Sequence, residues 1–219
     1  GITVIGEAAT ALQFEEVLVH EIAHNWFYGM LGFNERRYPF LDEGLTTFSE
    51  FRYMNRKYKG SKKLYESFGF SEFFAAFTGI QSFDFEDIND LMYLFRAREN
   101  LDQPPDIAST KFYGSNYATM SYGKSSRSFQ YLMNYLGEKQ FNKAMRQFTE
   151  QWRFKHPYPR DLEKTFEKST GKDLDWLFHD LLGTSQERDY AVKKYRQNEV
   201  LIQNKGNVAG PVHLEGINL

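Results

Sequence analysis

Residues 20–24 read His-Glu-Ile-Ala-His, inside a proline-free stretch from Glu7 to about Leu31. Two histidines four positions apart share a face on a helix, so the pentapeptide asks for a helix before anything else is known. Leu12, Val19, Ile22, Ala23, Trp26 and Phe27 recur at helical spacing, and Gly29 and Gly32 mark the end. On that helix His20 and His24 can reach one metal ion, and Glu21 can address a water bound to it. Neutral imidazole suits zinc, and a catalytic zinc takes a third protein ligand and keeps one position open. The pattern His-x-x-Gly-x-x-His beyond the second histidine is absent, because Phe27 and Met30 stand at its positions. Glu43 comes after His24 with 18 intervening residues, in Leu41-Asp42-Glu43-Gly44-Leu45. That distance lets the first helix end, the chain turn, and a second helix bring a carboxylate back. An acidic side chain in a first helical turn also suits the helix N-terminus. Joined to the two histidines at this spacing, Glu43 reads as the third ligand.

The rest of the chain predicts a mainly α fold. The second helix takes Asp42 as its N-cap and stops at Lys59-Gly60. A further helix is expected over Ser61 to Phe77, burying Leu64, Phe68, Phe70, Phe73, Phe74 and Phe77 as core or interdomain packing. Others are expected over Asp87 to Arg98, Tyr122 to Leu136 with Gly137 as terminator, Glu138 to Trp152, Arg160 to Thr170 with Gly171 as stop, and Asp173 to Leu182. Past Gly183 the residues turn β-forming: Tyr190 to Ile202, then Asn204-Lys205-Gly206-Asn207 as a turn into Pro211-Val212-His213-Leu214. Two or three strands make no independent sheet. Residues 1–183 therefore read as one helical domain, and 184–219 as the first strands of a further β-domain. Gly1 in place of an initiator Met reads as a processing boundary or an excised piece.

Composition narrows the chemistry. With no Cys there is no thiolate zinc site, disulfide framework or cysteine nucleophile. Lys and Arg total 27 against 29 Asp and Glu, which gives no electrostatic case for nucleic acid. No apolar run is long enough for a membrane span. His156, in a loop, His179, near Trp176 and Phe178, and His213, in the tail, read as structural or surface residues.

His20-Glu21-Ile22-Ala23-His24-Asn25-Trp26-Phe27, with Asp42-Glu43-Gly44 further along, resembles the zinc aminopeptidases of the aminopeptidase N and leukotriene hydrolase type. These are gluzincins with a thermolysin-like catalytic domain. Thermolysin-type endopeptidases carry an Asp four residues past the third ligand, and here that position is Thr47. The resemblance implies one zinc ion on His20, His24 and Glu43, with Glu21 as general base. It implies that Glu50 orients a ligand histidine through its free ring nitrogen, a solvated helix residue being the other reading. Tyr122-Gly123-Lys124-Ser125 resembles the segment carrying the family's catalytic tyrosine, with Ser125 where Gly is usual. Tyr122 would stabilise the oxyanion, and Tyr117 resembles a second tyrosine lining the site.

The implied activity is zinc-dependent peptide hydrolysis releasing N-terminal residues from peptide substrates. An endopeptidase, a bifunctional hydrolase and a silent binding domain are the alternatives. The Gly-x-Met-Glu-Asn-like strand that fixes a substrate's amine in the family has no counterpart here. Gly1 to Gly6 resembles the stretch immediately C-terminal to that strand, so the partners expected include missing domains of the same polypeptide. These residues alone are expected to show weak or no aminopeptidase activity.

Overall fold

The computed structural model of the chain describes residues 5–58, 63–196 and 199–214. It is mainly helical, with a two-stranded antiparallel sheet near the C-terminus. Helix α1 (Ala11–His24) starts where Thr10 accepts a hydrogen bond from the Gln13 N–H, four residues past Glu7. Its last turn widens into a π-turn, Asn25–Met30, closed by Leu31 N–H donating to the Trp26 carbonyl at 2.8 Å. Phe154, at φ +60°, donates its N–H to the Met30 carbonyl and holds that end. The buried residue of α1 is Ala23, whereas Ile22 and Trp26 are half exposed. The helix therefore turns a histidine-lined face inward, against the expectation from its apolar residues. Apolar side chains lie all round this helix, so periodicity alone does not choose between its faces.

Helix α2 (Pro39–Tyr58) opens on a proline, whose fixed φ suits a first helical position. Asp42 is thus inside the helix, not its N-cap, and Glu43 lies just beyond the first turn. The expected stop at Lys59-Gly60 lies outside the described residues, as does most of Gly1 to Gly6. Gly44 makes the packing of α2 possible. A Cβ there would sit 2.6 Å from that of Ser125 and 3.2 Å from the Ser121 carbonyl.

The single helix expected over Ser61 to Phe77 is instead two short ones, α3 (Leu64–Ser67) and α4 (Glu72–Thr78), parted at Gly69 with φ +69°. Leu64 is buried as expected, but of the two readings of the Phe side chains, core or interdomain packing, the first does not hold within this chain. Phe68, Phe70, Phe73, Phe74 and Phe77 are all exposed, Phe77 by 84%. Helix α5 (Asp87–Arg98) runs as expected. Tyr117–Lys124 is a second π-turn and leads into α6 (Ser125–Leu136). Gly137 at φ +79° then allows the break before α7 (Glu138–Trp152), and Gly171 at φ +67° ends α8 (Pro159–Thr170). The last helical segment is a third π-turn, Trp176–Leu181, shorter than the expected Asp173 to Leu182.

The main core lies between α2, α6, α7 and α8. Phe48 packs on Phe141 and Phe141 on Phe166, each at 5.2 Å between ring centroids. Strands β1 (Tyr190–Arg196) and β2 (Glu199–Asn204) pair Tyr190 with Asn204 and Arg196 with Glu199, with a bulge after Val192. The two paired strands therefore fall in the stretch expected as one. Asn204 to Asn207 instead folds back on Glu187 and Asp189, and 211–214 is not a strand. Val208 is fully buried in the main core, and Tyr190 and Tyr131 donate their hydroxyls to the Gly210 and Pro211 carbonyls. No described helix is long and apolar enough to cross a membrane.

Candidate metal centre

Where α1 crosses α2, three side chains from two helices converge. His20 and His24, one turn apart, each bring Nε2 to 3.3 Å from the same oxygen, Glu43 Oε2. The ligating atoms of the three residues lie within 4.8 Å of one another. The rings meet edge to face with centroids 4.8 Å apart. Each ring's other nitrogen is held by a second carboxylate: His20 Nδ1 is 3.1 Å from Glu50 Oε2, and His24 Nδ1 is 2.8 Å from Asp42 Oδ1. Such partners fix tautomer and ring orientation, leaving both Nε2 lone pairs aimed at one point. Thr46 Oγ1, 3.3 Å from His24 Nδ1, completes that support. Of these, Glu50 lies against the outer nitrogen of His20. Asp42 reads from sequence as a cap, so its role escapes the sequence argument. Its place beside Glu43 is the available signal, since adjacent helical residues can address the two nitrogens of one ring.

Electrostatics fit a cation here. Burial works against charge on both rings, but the carboxylates outweigh it. Glu43 and Glu50 raise the His20 pKa to about 9, and Asp42 and Glu43 raise that of His24 to about 10. Burial would raise the Glu43 carboxyl, yet His20, His24 and Tyr122 hold it down to about 2. The carboxylates around the two imidazoles favour positive charge between them, which protons or a divalent ion can supply. The donor set of two imidazoles and a carboxylate, with both outer nitrogens occupied, matches a three-ligand zinc site.

The two tyrosines arrive on the second π-turn. Tyr122 stacks on His20 at 5.6 Å between centroids, and its phenol faces Glu43. Tyr117 donates to Glu43 Oε1 at 3.4 Å and meets the Tyr122 ring edge-on at 5.9 Å. Burial, with Glu43 close by, raises both phenols, Tyr117 to about 12, so both stay protonated donors at neutral pH. Glu21, next along α1 from His20, is partly exposed, and its side chain makes no hydrogen bond among the described residues. The residues singled out from sequence thus meet in one place: His20, His24, Glu43, Glu50, Tyr117 and Tyr122. His156 lies elsewhere, its Nδ1 2.9 Å from the Gly32 carbonyl, and His179 pairs with Glu163 at 2.9 Å.

The family model for the peptidase family M1 domain matches residues 5–181. A crystal structure of a mutant M1 zinc metallopeptidase from Deinococcus radiodurans, bound to a Tyr-Ser-Ala substrate, superposes with a TM-score of 0.54 at 12% identity. The match covers 77% of this chain and 32% of that one, and at this identity it is a likeness of fold. No match to a curated protein is found.

Proposed function

The chain belongs to peptidase family M1, and on that premise we propose that it is the helical catalytic part of a zinc metallopeptidase, acting as an aminopeptidase. His20, His24 and Glu43 would hold the zinc, with Glu50 and Asp42 fixing the two rings. The observation that carries the reading is the meeting of both Nε2 atoms on Glu43 while both Nδ1 atoms are occupied by carboxylates. Zinc held there supplies a Lewis acid that acidifies water and polarises the scissile carbonyl.

The chain's own residues do the rest. Glu21 takes the proton of the attacking water and delivers it to the leaving amine, breaking the C–N bond. The Tyr122 phenol, kept protonated by burial and by Glu43, donates to the oxygen that gains charge as the carbonyl becomes tetrahedral. Tyr117 lines the same carboxylate. The intact His-Glu-His-Glu set speaks against a silent binding domain.

The test is Glu21→Gln in the full-length protein. This variant keeps one zinc per chain and loses peptide hydrolysis, and retained turnover would remove Glu21 from the mechanism. Comparing free-amine with N-blocked peptides then checks the aminopeptidase assignment, which requires the blocked peptides to be resistant.

A further inference from the structure

Lys124 is a buried cation that the proposed chemistry does not use. It is 5% exposed, ends the second π-turn, and lies two residues past Tyr122. A buried ammonium is costly unless its donors are satisfied. Here Nζ reaches the Thr184 carbonyl at 3.4 Å and stands 5.2 Å from the centre of the Tyr93 ring. Burial lowers its pKa to about 8, with Asp102 and Glu187 partly opposing that fall.

The segment it closes needs holding. A π-turn takes one residue more per hydrogen-bonded ring than an α-turn, and such turns concentrate at functional sites. Relaxing this one by a residue would swing the side chains beyond it by about 100° around the helix. The turn is clamped ahead by Asn116, fully buried, which accepts from Arg96 Nε at 3.0 Å and donates to the Leu101 carbonyl at 2.6 Å. Near its end the backbone packs on Asn89, whose Oδ1 lies 3.2 Å from where a Gly123 Cβ would sit. At the far end the Ser125, Ser126 and Ser128 hydroxyls donate to the Met120, Gly123 and Lys124 carbonyls within the helix, and Lys124 adds the side-chain link from the turn out to Thr184. A cavity of about 160 Å³ beside it, lined in part by Asn89, Tyr93 and Arg188, leaves room for that end to shift if the tether is lost.

We propose that Lys124 is the positioning residue for Tyr122, its ammonium pinning the end of the π-turn to the Thr184 carbonyl and the Tyr93 face so that the phenol stays directed at Glu43. The inference rests on reading Tyr122 as the oxyanion donor. It also means that the seating of residue 184, where the chain leaves the helical core, is felt at the active centre.

The test pairs fluorine NMR with kinetics on the zinc-loaded full-length protein. With fluorotyrosine at position 122, Lys124→Met moves and broadens the resonance, Lys124→Arg restores it, and fluorotyrosine at position 38 is unaffected. Lys124→Met lowers kcat by about 10–100-fold with KM unchanged. Tyr122→Phe lowers kcat by about 100–1000-fold, and Lys124→Met adds nothing further in that background. Tyr93→Leu, which keeps the ammonium, displaces the resonance in the same direction and serves if Lys124→Met does not fold. An unmoved resonance in these variants, or a Lys124→Met loss that persists in Tyr122→Phe, overturns the proposal. Full kcat in Tyr122→Phe would instead remove the phenol from the mechanism and overturn the premise, while the resonance still reports whether Lys124 positions the ring.

Discussion

Among the described residues, two places set histidine among carboxylates with ligating atoms within 4.8 Å of one another: His20, His24 and Glu43, and Glu163, Asp175 and His179. The second holds the shortest single ligand contact but also the longest, His179 Nε2 to Asp175 Oδ1 at 3.6 Å. His179 Nε2 lies 2.9 Å from Glu163 Oε1, against 3.3 Å from either site imidazole to Glu43 Oε2. The difference lies in what surrounds the ligating atoms. The His20 and His24 side chains are 12% and 20% exposed, and Glu50 and Asp42 hold their outer nitrogens. His179 and Asp175 are 64% and 70% exposed, and no carboxylate braces the His179 Nδ1 among the described residues. A surface histidine beside a carboxylate is an ordinary, weak ion pair. A partly buried pair of rings with both outer nitrogens held by carboxylates has the arrangement a metal site calls for.

Substitutions on each side can break that contrast. His24→Ala should abolish stoichiometric zinc binding, measured by competition with a chelating dye, whereas His179→Ala should leave zinc affinity unchanged. Equal losses would erase the distinction. Next in size, Asp42→Asn and Glu50→Gln should each weaken zinc about 10–100-fold without removing it, and Asp175→Asn should do nothing. An Asp42→Asn protein with wild-type affinity would return Asp42 to a purely structural role.

The smallest effect concerns a carboxylate that is fastened on the same helix but not in the site. Lys57 and Tyr58, with Tyr53, hold Glu15 down to about 2 from 4.5. A lowered carboxyl stabilises the fold above its unfolded pKa and loses that contribution as pH falls through its folded one. The thermal midpoint of the metal-free protein should therefore drop between pH 4.5 and 2, and Glu15→Gln should flatten part of that slope. An unchanged slope would show that the α1–α2 strap contributes nothing.

These residues also mark how far the sequence is legible. His20, His24 and Glu43 can be read because helical spacing and the length of one turn-back fix where their side chains go. Glu50, Tyr117 and Tyr122 come only through family resemblance, since a lone Glu or Tyr on a helix has many other uses. Asp42 is misread because an acidic residue near a helix start fits a cap as well as a histidine partner. The π-turns leave no trace in the periodicity, because one added residue per ring is smaller than the scatter of apolar positions. The Phe run from Phe68 to Phe77 declares itself apolar but not what it packs on, and its exposure is set by tertiary structure. The hairpin is expected one turn late, because Asn204 to Asn207 is a strong turn signal that here caps β2 instead of joining two strands.

X-ray absorption at the zinc edge of the metal-loaded protein tests the central claim most directly, because it counts the rings on the ion. The account requires one zinc per chain, with two imidazole nitrogens and light oxygen donors in its first shell. A shell with a single imidazole, as the His179 cluster would give, or a protein that takes up no zinc, would contradict it.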